Sequence, residues 1–439
     1  MALDTAVMTA VESLDYRVTV GDVATKAGLS LAVAQQGLIA LAADTQAHLQ
    51  VSEAGEIAYE FPQNFRTILR NRFWRLRFRE TWQKIWRVLF YLIRISFGII
   101  LILSILLIVA AIIALMIAAS SSQRDDNRSS RSGGGGMVFM PRFWFGDLFY
   151  IFDFNGHRRR RSQPKFQGSG PENEMNFLES IFSFLFGDGD PNAELEEHRW
   201  KTIGTVIRNQ GGAVAAEQIA PYLDDVGEGW AAEDEDYMLP VLTRFNGVPE
   251  VSPQGHIIYH FPELQVTAQN QARKSVAAYL KATPWKFSQA SGNQLAIAIG
   301  LGLFNCIGAI VLGVMLADNG SLVAELGGLV GFVYSIYGLL LAYGVAFLTI
   351  PAVRYFWVQR QNSKITGQNE LRQARATTLN RLEGAVTEKI EYAQQFVSET
   401  VVTKDDLAYT TEKDLTDQDI EQSEKLDAEW RDRLNASEP

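Results

Sequence analysis

VSEAGEIAYEFP at residues 51–62 returns as VSPQGHIIYHFP at residues 251–262. Val51, Ser52, Gly55, Ile57, Tyr59, Phe61 and Pro62 match Val251, Ser252, Gly255, Ile257, Tyr259, Phe261 and Pro262, seven of twelve positions at one offset. Chance does not readily produce that, so the chain carries an internal repeat. Each copy reads as a β-hairpin. A strand ends near the valine, a Gly-bearing turn follows, and Ile, Tyr and Phe alternate on one face until proline ends the pairing.

Upstream of the first copy, Ala6–Ser13 reads as a short helix and Val18–Val20 as a brief strand. Gly21–Ala27 is a second helix ended by Gly28, and Leu31–Ala43 a third with Ser30 as N-cap. In the second copy Glu197–Arg208, Ala213–Ala220 and Asp236–Asn246 take these places, with about four extra residues around Gly227 to Trp230. Helix, strand, helix, turn, helix, hairpin is the order of a winged helix. The expected fold is therefore α+β, with a winged-helix-like module A at 1–65 and a module B at 195–265.

Winged helices often grip DNA, which takes Lys and Arg at phosphates and Arg, Lys, Asn or Gln at base edges. Residues 30–43 hold no Lys or Arg, only Gln35 and Gln36. In the second copy Asp224, Asp225, Glu228, Glu233, Asp234, Glu235 and Asp236 precede Arg244. Such a face repels a duplex, so nucleic acid is not the expected partner and both modules read as protein-contact or self-association domains.

Three long apolar runs exclude a simple soluble protein. Ile95–Ala119 spans 25 uncharged residues inside the run 88–119, where ~20 suffice to cross the hydrocarbon. Further runs occupy 295–317 and 326–350, the last stopped by Pro351. No signal peptide is expected in the polar, patterned stretch Met1–Phe61, so the first run reads as a retained anchor. Before it, at 66–87, Arg70, Arg72, Arg75, Arg77 and Arg79 interleave with Trp74, Trp82 and Trp86. That pattern suits a basic helix on anionic headgroups that then turns into the bilayer, with the N-terminus cytoplasmic. The flanks of the second and third runs, Arg273, Lys274, Lys281, Lys286, Arg354, Arg360 and Lys364, place both their ends on the cytoplasmic side. One crossing by the first run would then put the middle region on the wrong side, a conflict the sequence leaves open. Ala309, Gly313 and Ala317, and Gly327, Gly331 and Ser335, recur every four residues and suit close helix packing. Asn305 is polar at membrane depth.

The remaining organisation follows from composition. Residues 120–194 read as flexible linker with two aromatic interfacial segments, Met137–Phe154 and Phe177–Phe186, around Arg158–Arg161. Residues 266–294 read as a connecting helix and 354–398 as an amphipathic helix. Residues 399–439 hold 13 acids and 5 bases, most of the net charge of -10, and read as a mobile or docking tail. The whole combines two modules, about three transmembrane helices and a helical, partly disordered C-terminal tail. One cysteine, Cys306, excludes a disulfide framework and a cysteine-ligated cluster on this chain alone. No phosphate loop, dinucleotide fingerprint, zinc-protease or nucleophile-elbow motif occurs. His256 and His260 share a strand face, without a third ligand, and read as surface residues. No catalytic residue, cofactor or metal site is expected, and the chain is not expected to be an enzyme.

Residues 20–66 and 234–265 resemble an uncharacterised family of cyanobacterial and plastid membrane proteins, whose plant members are sometimes labelled iron–sulfur cluster biosynthesis proteins. The resemblance covers most of the chain to about residue 360. It implies a photosynthetic source and a thylakoid or plasma-membrane location, and the solitary Cys306 gives the iron–sulfur label no support. The expected function is a non-enzymatic membrane scaffold or assembly factor, touching a lipid bilayer and an unknown membrane or soluble protein, with oligomers left open. A membrane-tethered DNA-binding regulator and a transporter or channel component are the alternatives.

Overall fold

The computed structural model describes residues 5–72, 74–122, 176–227, 234–270, 272–318, 327–381, 384–404 and 407–436. The expectations for Met137–Phe154, Arg158–Arg161, Glu228 and Glu233 lie outside the described residues. The chain is mixed helix and sheet and forms two compact units. An αβ unit comprises Met1–Glu80, Pro191–Pro284 and Ser363–Pro439, and a helical unit comprises Thr81–Asp190 and Trp285–Asn362.

The αβ unit opens with helix Thr5–Ser13, strand β1 (Arg17–Val18), helices Val20–Ala27 and Leu31–Thr45, and strands β2 (His48–Ser52) and β3 (Ile57–Glu60). Local chemistry fixes these boundaries. The Thr19 side chain accepts from the Asp22 amide while the Asp22 carboxylate accepts from the Thr19 amide, a reciprocal cap. Gly28, at φ 68°, closes that helix, and the Ser30 side chain caps the next. β3 lies between β1 and β2, antiparallel to both.

The second copy repeats this down to register. Helix Leu195–Asn209, strand β4 (Ala213–Val214), the short helix Ala216–Ile219, helix Leu239–Phe245, and strands β5 (Val248–Val251) and β6 (Ile257–His260) follow in the same order. Val18 faces Tyr59 as Val214 faces Tyr259, and Val51 faces Ile57 as Val251 faces Ile257. The Ser52 amide donates to the Glu56 carbonyl at 2.9 Å, and the Ser252 amide to that of His256 at 2.7 Å. One difference is local: the third helix, expected from Asp236, starts as a 3-10 turn (Asp236–Met238) and becomes α-helical only at Leu239.

Both copies share one core. Val11, Leu38, Leu41, Tyr59 and Phe61 belong to the same buried cluster as Ile203, Ile207, Phe245, Tyr259 and Phe261. Close approach at the junction rests on small residues: a Cβ on Gly204 would stand 3.2 Å from the Thr25 methyl. The expected period-two face is incomplete. Tyr59 and Phe61 are 5% and 3% exposed, but Ile57 is 42% exposed. The opposite face is buried too, with Ala58 and Ile258 at 0%.

The C-terminal region covers that opposite face. β8 (Thr400–Val401) pairs in parallel with β7 (Val266–Thr267), and Val402 packs with Ala58, Val266 and Ala268. β9 (Leu407–Thr410) adds to β2, giving the order β1-β3-β2-β9. On the second copy, Ala393 of helix Gly384–Ala393 packs with Ala213 and Ile258. The tail expected to be helical and partly disordered thus supplies two strands as well as helix Leu415–Ala436.

Residues 266–294 are not a connecting helix. After β7 the described backbone forms neither helix nor strand, and helix begins only at Gly292. Asparagine side chains supply the hydrogen bonds that a helix would have supplied. Asn209 bonds both the amide and carbonyl of Lys274 at 3.2 and 2.8 Å. Asn369 does the same for Ala282 at 2.9 and 2.8 Å, and Asn192 for Thr283 at 2.8 Å each. Pro284 further restricts Thr283 to extended geometry.

In the helical unit, among the described residues, three helices are long and apolar enough to cross a membrane: Lys84–Ala119, Gly292–Asp318 and Gly328–Leu379. Arg70 and Arg72 end a separate helix, Phe65–Arg72, whereas Trp74–Ser122 is a single 49-residue helix, so from Trp74 onward the basic segment does not turn before its apolar part. It contains no glycine or proline before Gly98 that would break it. Pro351 likewise fails to stop the third run, and Gly328–Asn380 passes through it as one 53-residue helix. A single proline forfeits one backbone bond, which helices in lipid tolerate where neighbours compensate.

Buried clusters fix the helix directions. Leu101, Ala298 and Phe347 meet in one, and Leu115, Leu316 and Val330 in another. The first two spans therefore run parallel and the third antiparallel. Helix Phe177–Phe186 packs Ile181, Phe184 and Leu185 into the first cluster, at the end where the first span begins.

Candidate functional site

The repeat motif residues are scaffold. Ser52 and Ser252 are buried at the hairpin turns, where each hydroxyl accepts from the amide four residues on. Tyr259 is buried, which pushes its phenol above the usual range, and the nearby Glu235 carboxylate adds to this. Val51 faces Tyr409 of β9. Its counterpart Val251 is 61% exposed, because β5 ends its sheet. Pro62 and Pro262 follow the strands. His256 and His260 meet Glu388 and Gln265, at 3.3 and 3.1 Å, rather than a common centre.

Among the basic-aromatic residues, Trp82 and Trp86 are 53% and 51% exposed. The side chains of Arg70, Arg72, Trp74, Arg75, Arg77 and Arg79 lie outside the described part. Of the small residues, Ala309 is buried and Gly313 lies directly against the Tyr337 side chain. Ala317, Gly327 and Ser335 are exposed, and a Cβ on Gly331 would meet nothing. The glycines that serve close packing are others: Gly302 against Phe347, and Gly344 against Cys306 at 3.1 Å. Spacing alone cannot tell a packed stripe from a lipid-facing one. Asn305 is 1% exposed, and its Oδ1 accepts from the Ser104 hydroxyl at 3.0 Å, a polar fastener between the first two spans.

Sequence spacing gave no sign of the site where the two copies and the tail converge. Asp22, 1% exposed, is its pivot. One carboxylate oxygen accepts from the Thr267 hydroxyl at 3.0 Å and faces Arg208 at 2.8 Å; the other accepts from the Thr19 and Ala268 amides at 3.0 and 2.9 Å. Arg17 does similar work on the next layer. It donates to the Ala268 and Val402 carbonyls at 2.6 and 2.7 Å and to Gln50 at 2.8 Å. Burial depresses its pKa, while Glu60 and Asp22 oppose that. Glu60 is also partly desolvated, but Lys404, Gln50 and Arg17 outweigh this and hold it below the usual carboxylate range. On the second copy Lys389 binds Glu217 and Glu235 at 2.7 and 2.5 Å, and Asp224 pairs with Arg372 and Arg199.

Beside Asp22 opens a cleft of about 380 Å³. Thr25 and Lys26 come from the first copy, Lys201, Thr205 and Arg208 from the second, Arg273 and Lys274 from the segment before Gly292, and Ser398 and Glu399 from the tail. Its five cations face two acids. Burial, then Lys26 and Arg208, push the Lys274 ammonium below the usual lysine range, against the pull of Asp22. Arg273 and Lys274 read in the sequence only as a membrane flank. Their convergence with Lys26 depends on tertiary packing that no local motif encodes. Among the described residues no group of three or more His, Cys, Asp or Glu could hold a metal ion.

Fold and site define a protein with spanning-length apolar helices and a duplicated αβ unit strapped by its own C-terminal region. A chain of Arabidopsis thaliana named "Uncharacterized protein At5g03900, chloroplastic" is 40% identical over 431 residues, covering 95% of this chain and 80% of that one. This chain belongs to the family of that chloroplastic protein. No family model matches the sequence, and no solved structure matches the fold.

Proposed function

We propose that the protein is a non-enzymatic scaffold or assembly factor of a photosynthetic membrane, thylakoid or plasma membrane, with two winged-helix modules that hold partner proteins at its cytoplasmic or stromal face. The observation that carries this reading is the outer face of helix Leu31–Thr45, the element a winged helix commonly presents to its ligand. Val33 is 45% and Ile39 52% exposed there, beside Gln35 and Gln36, and the helix holds no Lys or Arg. Phosphate backbones demand cations, so this surface favours a protein partner over a duplex. The chloroplastic relative supports the choice of membrane.

The orientation rests on charge. Lys84, Arg87, Arg94, Lys286, Arg354 and Arg360 lie at one end of the helical unit, and Asp318 lies at the other. The arginine-rich end belongs on the cytoplasmic side.

Crosslinking in native membranes tests the scaffold reading. Val33→Asp with Ile39→Asp should abolish adducts to partner proteins while leaving the amount of chain and its melting unchanged. Recovery of the wild-type chain alone from crosslinked membranes, or retardation of duplex DNA by the purified chain at low salt, contradicts it.

A further inference from the structure

We propose that the cleft beside Asp22 is a binding site for a small phosphate-bearing anion, seated between the two copies and the tail. This goes beyond the scaffold reading and does not rest on it. The first argument is charge. Lys26, Lys201, Arg208, Arg273 and Lys274 bring five positive charges to the walls of the cleft against the two negative ones of Asp22 and Glu399. Like charges gathered in a concave site raise the local potential for an anion. Burial first, and then Lys26 and Arg208, hold the Lys274 ammonium below the usual lysine range.

The second argument is an unmet donor. Thr25 lines the cleft and is 6% exposed, with its methyl toward Gly204. Its buried hydroxyl has no hydrogen-bond partner among the described residues. A buried hydroxyl without a partner is uncommon.

The third argument is construction. Asn209 clamps the Lys274 backbone at both its amide and its carbonyl, and this fixes where that side chain starts. Cations from several segments suit the several oxygens of a phosphate group better than a single carboxylate. The volume lies in the range of small-molecule sites, ~300–1,000 Å³. Among the described residues no aromatic side chain lines the cleft for a base to stack on, and a non-aromatic phosphate compound or a phospholipid headgroup is favoured over a nucleotide.

Titration calorimetry on the purified full-length chain in neutral detergent tests this, with pyrophosphate in one arm and short-chain phosphatidylglycerol in the other. Saturable binding tighter than ~1 mM is expected in at least one arm, and the arm that responds identifies the free or the lipid source. Lys26→Gln with Arg273→Gln should weaken that binding at least about tenfold. Lys26→Arg with Arg273→Lys should keep it, and Lys413→Gln, far from the cleft in sequence and paired with Glu421, should change nothing. No saturable binding in either arm overturns the proposal. So does binding that the double glutamine variant leaves intact, or binding that Lys413→Gln weakens as much.

Discussion

The two copies of the repeat share strand order, register and turn geometry but differ in what covers them. The first has a fourth strand on its open edge, drawn from Leu407–Thr410, and Val402 against its outer face. The second keeps β5 as an edge and receives helix Gly384–Ala393 on the corresponding face. Duplication therefore fixed the hairpins, and the C-terminal region made the two unequal. The lesson is that a repeat read in sequence specifies a module and leaves open what surrounds it.

The largest expected asymmetry lies at the caps. Asp22 and Gln218 hold equivalent positions, each reaching back to the amide three residues before. Asp22 also carries Arg208, Thr267 and Ala268, so Asp22→Ala takes the carboxylate from a half-buried cation and two further donors and should cost about 3 kcal/mol. Gln218→Ala should cost about 1 kcal/mol, that of a lost cap. Thermal melts of the two variants in detergent compare them directly; equal losses would show that the pivot is no pivot.

Arg17→Ala comes next, at about 2 kcal/mol, because it removes a half-buried guanidinium from two carbonyls and Gln50. The second copy has Ala213 opposite His260 where the first has Arg17 opposite Glu60. A cation placed there by Ala213→Arg should find no such carbonyls and should not stabilise.

Acid should then loosen both straps. Glu60 and Asp224 are each held below the usual carboxylate range, although desolvation opposes this in both. A depressed folded pKa gives stability that is present above the unfolded value and is lost as pH falls through the folded one. Protease sensitivity of the tail should therefore rise only below about pH 4.5, near the unperturbed carboxylate pKa. Glu60→Gln should flatten the part that arises at the first copy and leave the part from Asp224.

The smallest expected difference is at the turns. Gly55 and Gly255 sit at φ 85° and 86° with open space around them. Alanine at either should cost about 1 kcal/mol, equally in the two copies. A clear inequality in urea titrations would break the structural equivalence of the hairpins.

Much of this architecture was legible in the chain. The matched motif gave both hairpins, and the uncharged runs gave three helices. Ser30, Gly28 and the alternating apolar residues gave the first copy nearly element by element. Three things were not legible, each for a physical reason. Residues 266–294 read as a helix, yet distant asparagines bond the backbone at Lys274, Ala282, Thr283 and Trp285. Pro351 looks like a stop, but helix on both sides carries through it. The acidic tail looks soluble and free, because alternation over four residues at Leu407–Thr410 is too short to announce a strand. Ala58 and Ile258, apolar at positions that face away from Tyr59 and Tyr259, were the one local hint that something covers the second face.

Hydrogen exchange on the full chain and on a chain ending at Ser398 tests the central claim most directly. Loss of β8 and β9 should speed exchange across residues 48–60 and leave residues 248–260 as they were, since helix Gly384–Ala393 remains on the second copy. Unchanged exchange in the first hairpin, or an equal loss of protection in both, would contradict the account.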